Sequence, residues 1–180
     1  MKRVAIVPVK RLSMAKMRLS PVLRPREREI IAEMMLKDVL QALQDSEMLD
    51  HVIVIGTDAS VKRLANTYRA RFVKEPSVGL NNSIEYATER SRKNGATSVL
   101  VTLADIPLIN KNDVEQMTQL GLDSDVVISP SRTQGTNALL RTPPDAIRTE
   151  YGHRSFVSHL KDVQERDIPF KILWTPSLSF

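Results

Sequence analysis

Four cations, Lys10, Arg11, Lys16 and Arg18, fall within nine residues, directly after the apolar run Val4-Ala5-Ile6-Val7-Pro8-Val9. Cations placed there can hold a polyphosphate and offset charge developing on a leaving pyrophosphate. One such ion pair at about 4 Å is worth roughly 4 kcal/mol at an effective dielectric near 20. The same residues would also make an ordinary basic surface loop. Asp105 is the second candidate. It follows the apolar run Ser98–Leu103, and Pro107 stiffens the chain just beyond it. A carboxylate facing a cationic loop can hold Mg²⁺ between phosphate oxygens; capping or turn formation is its plainer role. Gly79-Leu80-Asn81-Asn82 combines a residue that lets backbone approach closely with an amide able to read a base or ribose edge, or simply to cap a helix. Gly135-Thr136-Asn137 and Tyr151-Gly152-His153-Arg154-Ser155 offer hydroxyls and N–H groups, and Ser155 lies at a helix start suited to an anion.

Other chemistries are closed off. There are no cysteines, so thiolate metal sites, disulfides and cysteine nucleophiles are excluded. The three histidines, His51, His153 and His159, are scattered, and His153 and His159 read as surface residues. No G-x-S-x-G, P-loop or G-x-G-x-x-G occurs. The net charge of +5 favours an anionic partner, while the 4% aromatic content leaves few platforms for stacking single-stranded nucleic acid. No apolar run is long enough to span a membrane, and Val4–Val9 is too short for a signal peptide, so a cytoplasmic protein is expected.

The elements that must position these residues alternate. Strands are expected at Val4–Val9, Val52–Ile55, Phe72–Lys74, Ser98–Leu103, Asp125–Ser129, within Gly135–Arg141, and at Phe170–Trp174. Helices are expected at Pro25–Gln44, from Asp58 or Ser60 to Tyr68, from Asn81 or Asn82 to Asn94-Gly95, at Lys111–Leu120 and at Ser155–Glu165. Met34 and Met35 read as core filler. Alternating strands and helices in 180 residues imply one domain with a mainly parallel sheet covered on both faces. Ligands of such sheets sit beyond the carboxyl ends of the strands, where the strand order switches. The segments to inspect are therefore 10–20, 56–60, 75–82, 104–108 and 130–136.

Taken in order, PVKRLSMAKMRL (8–19), VGLNNSIEYA (78–87), LADIPLI (103–109), GTNALLRTPP (135–144) and YGHRSFVSHL (151–160) resemble the 2-phospho-L-lactate guanylyltransferase family of deazaflavin coenzyme (factor 420) biosynthesis. The resemblance spans the chain. It implies a Rossmann-like nucleotidyltransferase fold of the nucleotide-diphospho-sugar transferase type, a three-layer sandwich. It implies transfer of GMP from GTP to 2-phospho-L-lactate, or to phosphoenolpyruvate as in bacterial relatives, with release of pyrophosphate and with Mg²⁺ as cofactor. Carried over residue by residue, Pro8, Val9 and Lys10 would lie at the nucleotide with Gly79 and Asn81. Lys16 and Arg18 would act on the triphosphate, Asp105 would bind Mg²⁺, and Thr136, Gly152 and Ser155 would hold the acceptor. A homodimer is the assembly this class suggests.

One departure stands out. Family members carry a segment of the type D-x-D-T-P after the last strand, with an aspartate at the metal. This chain stops at Ser177-Leu178-Ser179-Phe180, which reads as the loss of a C-terminal tail. Three other readings bear on the same residues. One is a related nucleotidyltransferase with a different acceptor, whose Gly-rich L-A-x-G start is here Val7-Pro8-Val9-Lys10. Another is a non-catalytic nucleotide-binding domain. The third is a nucleic-acid binder, supported by charge alone.

Overall fold

The computed structural model describes residues 1–76 and 79–179. Val78, which opens the second matching segment, and Phe180 lie outside the described residues. Valine and isoleucine are the commonest residues across the strands β1 (Arg3–Val9), β2 (His51–Gly56), β3 (Arg71–Lys74), β4 (Ser98–Thr102), β5 (Val126–Pro130), β6 (Thr136–Arg141) and β7 (Phe170–Ile172), though β6 has neither. Branched side chains suit a pleated surface, and β1, β4, β5 and β6 are buried along almost their whole length.

These strands make one sheet in the order β3-β2-β1-β4-β6-β5-β7. Only β6 runs against its neighbours, pairing antiparallel with β4 and β5; the other pairings are parallel. The expected mainly parallel sheet is therefore present.

Helices α1 (Pro25–Asp45), α2 (Ala59–Thr67) and α4 (Lys111–Leu120) cover one face, where Leu36, Leu40, Val61, Leu64, Val114 and Met117 pack on Ala5, Val7 and Val54. Helices α3 (Leu80–Lys93) and α5 (Ser155–Glu165) cover the other, where Ile84, Ala87 and Val163 pack on Ile6, Ile53 and Val101. Alternate residues of β1 feed opposite layers, as period-two geometry requires.

Pro25 opens α1 as expected, with Glu27 accepting the Arg24 N–H at 2.7 Å. Asp58 caps α2 by accepting from Ser60. Met34 departs from expectation: it is 57% exposed, because α1 buries the stripe Ala32, Leu36, Val39, Leu40 and Leu43 and turns Met34 away from it. The last strand ends at Ile172 rather than Trp174, which is 61% exposed.

The order of strands fixes where a crevice can open. The chain moves from β1 outward to β2 and β3, then returns to lay β4 on the other side of β1. The crossovers through α1 and α3 thus lie on opposite faces and part above the carboxyl ends of β1 and β4. Pairing of β1 with β4 stops at Ile6, and Pro8, which has no N–H to donate, follows two residues later.

Candidate active site

Two adjoining clefts open at this switch point. One, of about 290 Å³, is lined by Lys10, Lys16, Ala104 and Asp105. Its neighbour, of about 400 Å³, is lined by Arg11, Thr57, Glu75 and Gly79. They share Pro8, Val9, Lys10, Met14 and Leu80 as a common wall. A third hollow, of about 360 Å³, lies at the amino ends of β1 and β2 among Lys2, Asp50, His51 and Arg69, away from the carboxyl ends of the strands.

The loop after β1 folds as two short 3-10 turns, Leu12–Met14 and Met17–Leu19, joined by Lys16 in the left-handed region (φ 51°). This conformation is uncommon outside glycine, and the contacts around the loop hold it. Lys16 Nζ donates to Asp105 Oδ2 at 2.9 Å, tying the β1 loop to the β4 exit. Asp58 Oδ2 accepts from the Leu12 N–H at 3.4 Å. Burial alone would raise the Asp58 carboxyl, but hydrogen bonds from Ser60 and Leu12 and the charge of Arg11 hold it below its ordinary value.

Arg28, reaching from α1, donates to the Ala15 carbonyl at 3.0 Å and meets Met17 Sδ at 2.9 Å. It is only 5% exposed. Sequence reasoning missed it as a loop clamp. Its one signal is that a cation stands in register with the buried stripe Ala32 and Leu36.

The sequence candidates divide between the clefts and their supports. Pro8, Val9, Lys10, Lys16, Gly79 and Asp105 line the clefts. Arg18 is exposed on the second 3-10 turn and lines neither. Gly79 precedes α3 with φ 130°, a region favouring glycine, and a side chain there would stand 3.3 Å from Asn82 Nδ2.

Asn81 engages its amide within the protein. Its Nδ2 donates to the Tyr151 carbonyl at 3.0 Å and its Oδ1 accepts the Tyr151 N–H at 2.7 Å. The amide therefore fastens the Tyr151-Gly152 segment beside Leu80 and the cleft wall.

The hydroxyls expected at the acceptor are likewise engaged within the protein. Thr136 is 1% and Ser155 2% exposed, and Ser155 Oγ donates to Thr136 Oγ1 at 3.3 Å. Ser155 Oγ accepts the Thr136 N–H at 2.9 Å, and Thr136 Oγ1 lies 2.9 Å from His159 Nδ1. His159, read from sequence as a surface residue, is 0% exposed. Its Nε2 accepts the Glu150 N–H at 2.9 Å, so Nδ1 carries the proton and donates to Thr136. The reason is packing: α5 turns its first residue and His159 inward together, so short polar groups satisfy one another. Gly152 and His153 remain exposed at the loop.

Asp105 is the carboxylate of the smaller cleft and could supply one oxygen ligand to a divalent cation. Among the described residues no group of three or more histidine or acidic side chains gathers to hold a metal unaided. From the last residue of β7 the chain reads Ile172-Leu173-Trp174-Thr175-Pro176. It matches D-x-D-T-P at its Thr-Pro and places Ile172 and Trp174 at the two acidic positions. Trp174 packs edge-on against Phe156, with centroids 6.0 Å apart. Asp113 of α4 accepts from the Thr175 and Ser177 hydroxyls at 3.0 and 2.7 Å and anchors the segment.

The chain is similar to known proteins. The chain is 34% identical to a phosphoenolpyruvate guanylyltransferase of Sphaerobacter thermophilus, covering 100% of this chain and 87% of the relative. It is 36% identical to a 2-phospho-L-lactate guanylyltransferase of Methanocaldococcus jannaschii, covering 93% and 72%. Its fold matches the crystal structure of a putative nucleotide-diphospho-sugar transferase from Desulfovibrio desulfuricans G20 with a TM-score of 0.79 at 16% identity, over 96% of this chain and 80% of that one. Residues 3–179 match the family model described as guanylyl transferase, CofC-like, and the chain belongs to that family.

Proposed function

We propose that this nucleotidyltransferase moves GMP from GTP to a small phosphorylated carboxylic acid, 2-phospho-L-lactate or phosphoenolpyruvate, in deazaflavin coenzyme biosynthesis in the cytoplasm. The observation that carries the reading is the cationic loop of β1 locked by Lys16 onto Asp105 at the switch point. An acceptor phosphate oxygen attacks the α-phosphorus of GTP, one P–O bond forms, the bond to the β-phosphate bridge breaks, and pyrophosphate leaves with the electron pair. The nucleophile is already an anion, so no general base is needed. The chain must align two anions that repel one another. Lys10 and Lys16 offset triphosphate charge, and Arg28 and Asp58 hold the loop that carries those lysines. The Asn81 clamp holds the Gly152 loop at the cleft, where it can meet the acceptor.

Mg²⁺ fits this donor set as an ion that arrives with the nucleotide. It binds through one or two carboxylates plus phosphate oxygens and water, and Asp105 is the carboxylate at hand. When bound it would neutralise phosphate charge. The same reading carries a homodimer, which sedimentation of the full chain tests.

Pyrophosphate release from GTP and Mg²⁺, with each acceptor in parallel, tests the function. Release requiring one acceptor, and reduced at least about 100-fold in Asp105→Asn, is expected. Tight GTP binding without release for any phosphorylated acid would refute catalysis.

A further inference from the structure

We infer that Glu75 selects the base of the nucleotide by accepting two hydrogen bonds from the guanine edge. The two clefts share Lys10 but differ beyond it. The one with Lys10, Lys16 and Asp105 suits phosphate and metal. The other is walled by Pro8, Met14, Ile55 and Leu80, with Lys10 and Arg11 also on its lining and Glu75 as its acidic residue. Apolar walls beside a carboxylate suit a flat heterocycle that donates to the carboxylate, while Lys10 and Arg11 can meet the phosphates attached to it.

Glu75 is built for that role. It follows β3 directly, and its N–H donates to the Gly56 carbonyl at 3.0 Å, fixing the backbone. One carboxylate oxygen, Oε1, accepts from the hydroxyl of Ser83, which is 3% exposed and lies one turn into α3. A carboxylate has about four acceptor sites. Oε2 accepts no hydrogen bond among the described residues, so capacity for a bidentate partner remains.

Base chemistry then decides. Guanine presents two adjacent donors, N1–H and the 2-amino group. Adenine and cytosine place a ring acceptor beside their amino group, and uracil has one donor between two carbonyls. A carboxylate, which only accepts, matches guanine and leaves an unfavourable oxygen–acceptor contact with the others.

The inference rests on GTP being the donor, and the test separates the two claims. The full chain and Glu75→Gln are compared for kcat/KM with GTP, ITP, which lacks the 2-amino group, and XTP, which has a carbonyl there. The parent is expected to prefer GTP over ITP by about tenfold or more. In Glu75→Gln that preference falls to about twofold, and XTP improves because an amide both accepts from N1–H and donates to the new carbonyl. A general structural defect would lower all three nucleotides together and give no gain with XTP. Ser83→Ala, which frees the carboxylate, is a second variant expected to lower the GTP:ITP ratio without reversing it.

An unchanged GTP:ITP ratio in Glu75→Gln, with no gain for XTP, overturns the inference and leaves the function standing. If no acceptor supports turnover, calorimetric binding of the same nucleotides decides. A GTP preference that collapses in the variant upholds Glu75 while the proposed reaction falls. Equal affinity of the parent for GTP and ITP overturns the selector.

Discussion

His159 is held without a proton because its surroundings oppose the charge from every side. Burial is the larger cause and the Arg141 guanidinium the smaller, and together they push its pKa from 6.5 down to about 4. Both ring nitrogens are engaged in the neutral form: Nε2 accepts from Glu150 and Nδ1–H donates to Thr136. Protonation would put a donor against a donor at Glu150. The sign of the pH effect follows. Between about 6.5 and 4 the unfolded chain binds a proton that the folded chain refuses, so stability falls as pH drops through that window. Across the window the contribution is on the order of 3 kcal/mol. Urea midpoints measured between pH 7 and 5 should decline in the parent and decline less in His159→Gln, which starts lower at pH 7. Equal slopes would show that His159 is not the group responsible. Sequence could not reveal this. A histidine at spacing Ser155/His159 sits on one helix face, but which face turns inward depends on β6 and the 142–154 segment lying against it.

Arg141 shows what elements do to one another on the α3 side of the sheet. It ends β6 fully buried, bonded to Glu85 of α3 at 3.2 Å, to the Ile147 carbonyl at 2.9 Å and to Thr88 at 2.8 Å. Glu85 also accepts the N–H and hydroxyl of Thr149 at 2.9 and 2.8 Å. One arginine thus joins a strand, a helix and the irregular segment that leads to Gly152. Arg141→Ala leaves Thr88 and Ile147 without a partner and opens a cavity. The Glu85 side chain, 42% exposed, can still reach water. The expected loss is therefore about 3 kcal/mol, at the low end for a broken buried pair. Arg141→Met, which refills the volume, should lose less. Chemical denaturation of both variants checks this, and equal losses would mean that polar pairing outweighs packing. At this scale sequence reasoning was close. Helices α4 and α5 fall on Lys111–Leu120 and Ser155–Glu165 as expected, because apolar periodicity marks both and Asn110 caps α4. The reversal of β6 was open to deduction: only residues 131–135 separate it from β5, whereas a parallel return needs a dozen or more. The loop after β1 was harder, because its two 3-10 turns depend on Arg28, Asp58 and Asp105 from three distant segments.

At the scale of the molecule, charge and topology act on the same spot. The alternation of strands and helices indicated a sheet with a crevice, and the motif order indicated the family, since both are properties of the whole chain. Which polar side chains face the crevice was not readable, because neighbours such as Leu80 and Asn81 are separated by a single helical step. The crevice mouth holds Lys10, Arg11 and Lys16, with Arg18 exposed nearby, on a chain of net charge +5. Such a field raises the local concentration of a polyphosphate and speeds encounter, and salt screens it. The screening length falls from about 10 Å at 0.1 M to about 3 Å at 1 M salt. At fixed Mg²⁺, kcat/KM for GTP should therefore fall by roughly three- to tenfold between 0.05 and 0.5 M KCl, with kcat changing less. Arg18 lies outside both clefts, so its part in this is through the field rather than contact. Arg18→Gln should lower kcat/KM at low salt and flatten its salt dependence, converging on the parent at 0.5 M. A constant ratio of variant to parent across the salt series would instead mean that Arg18 touches the bound triphosphate, giving it a direct role at the phosphates.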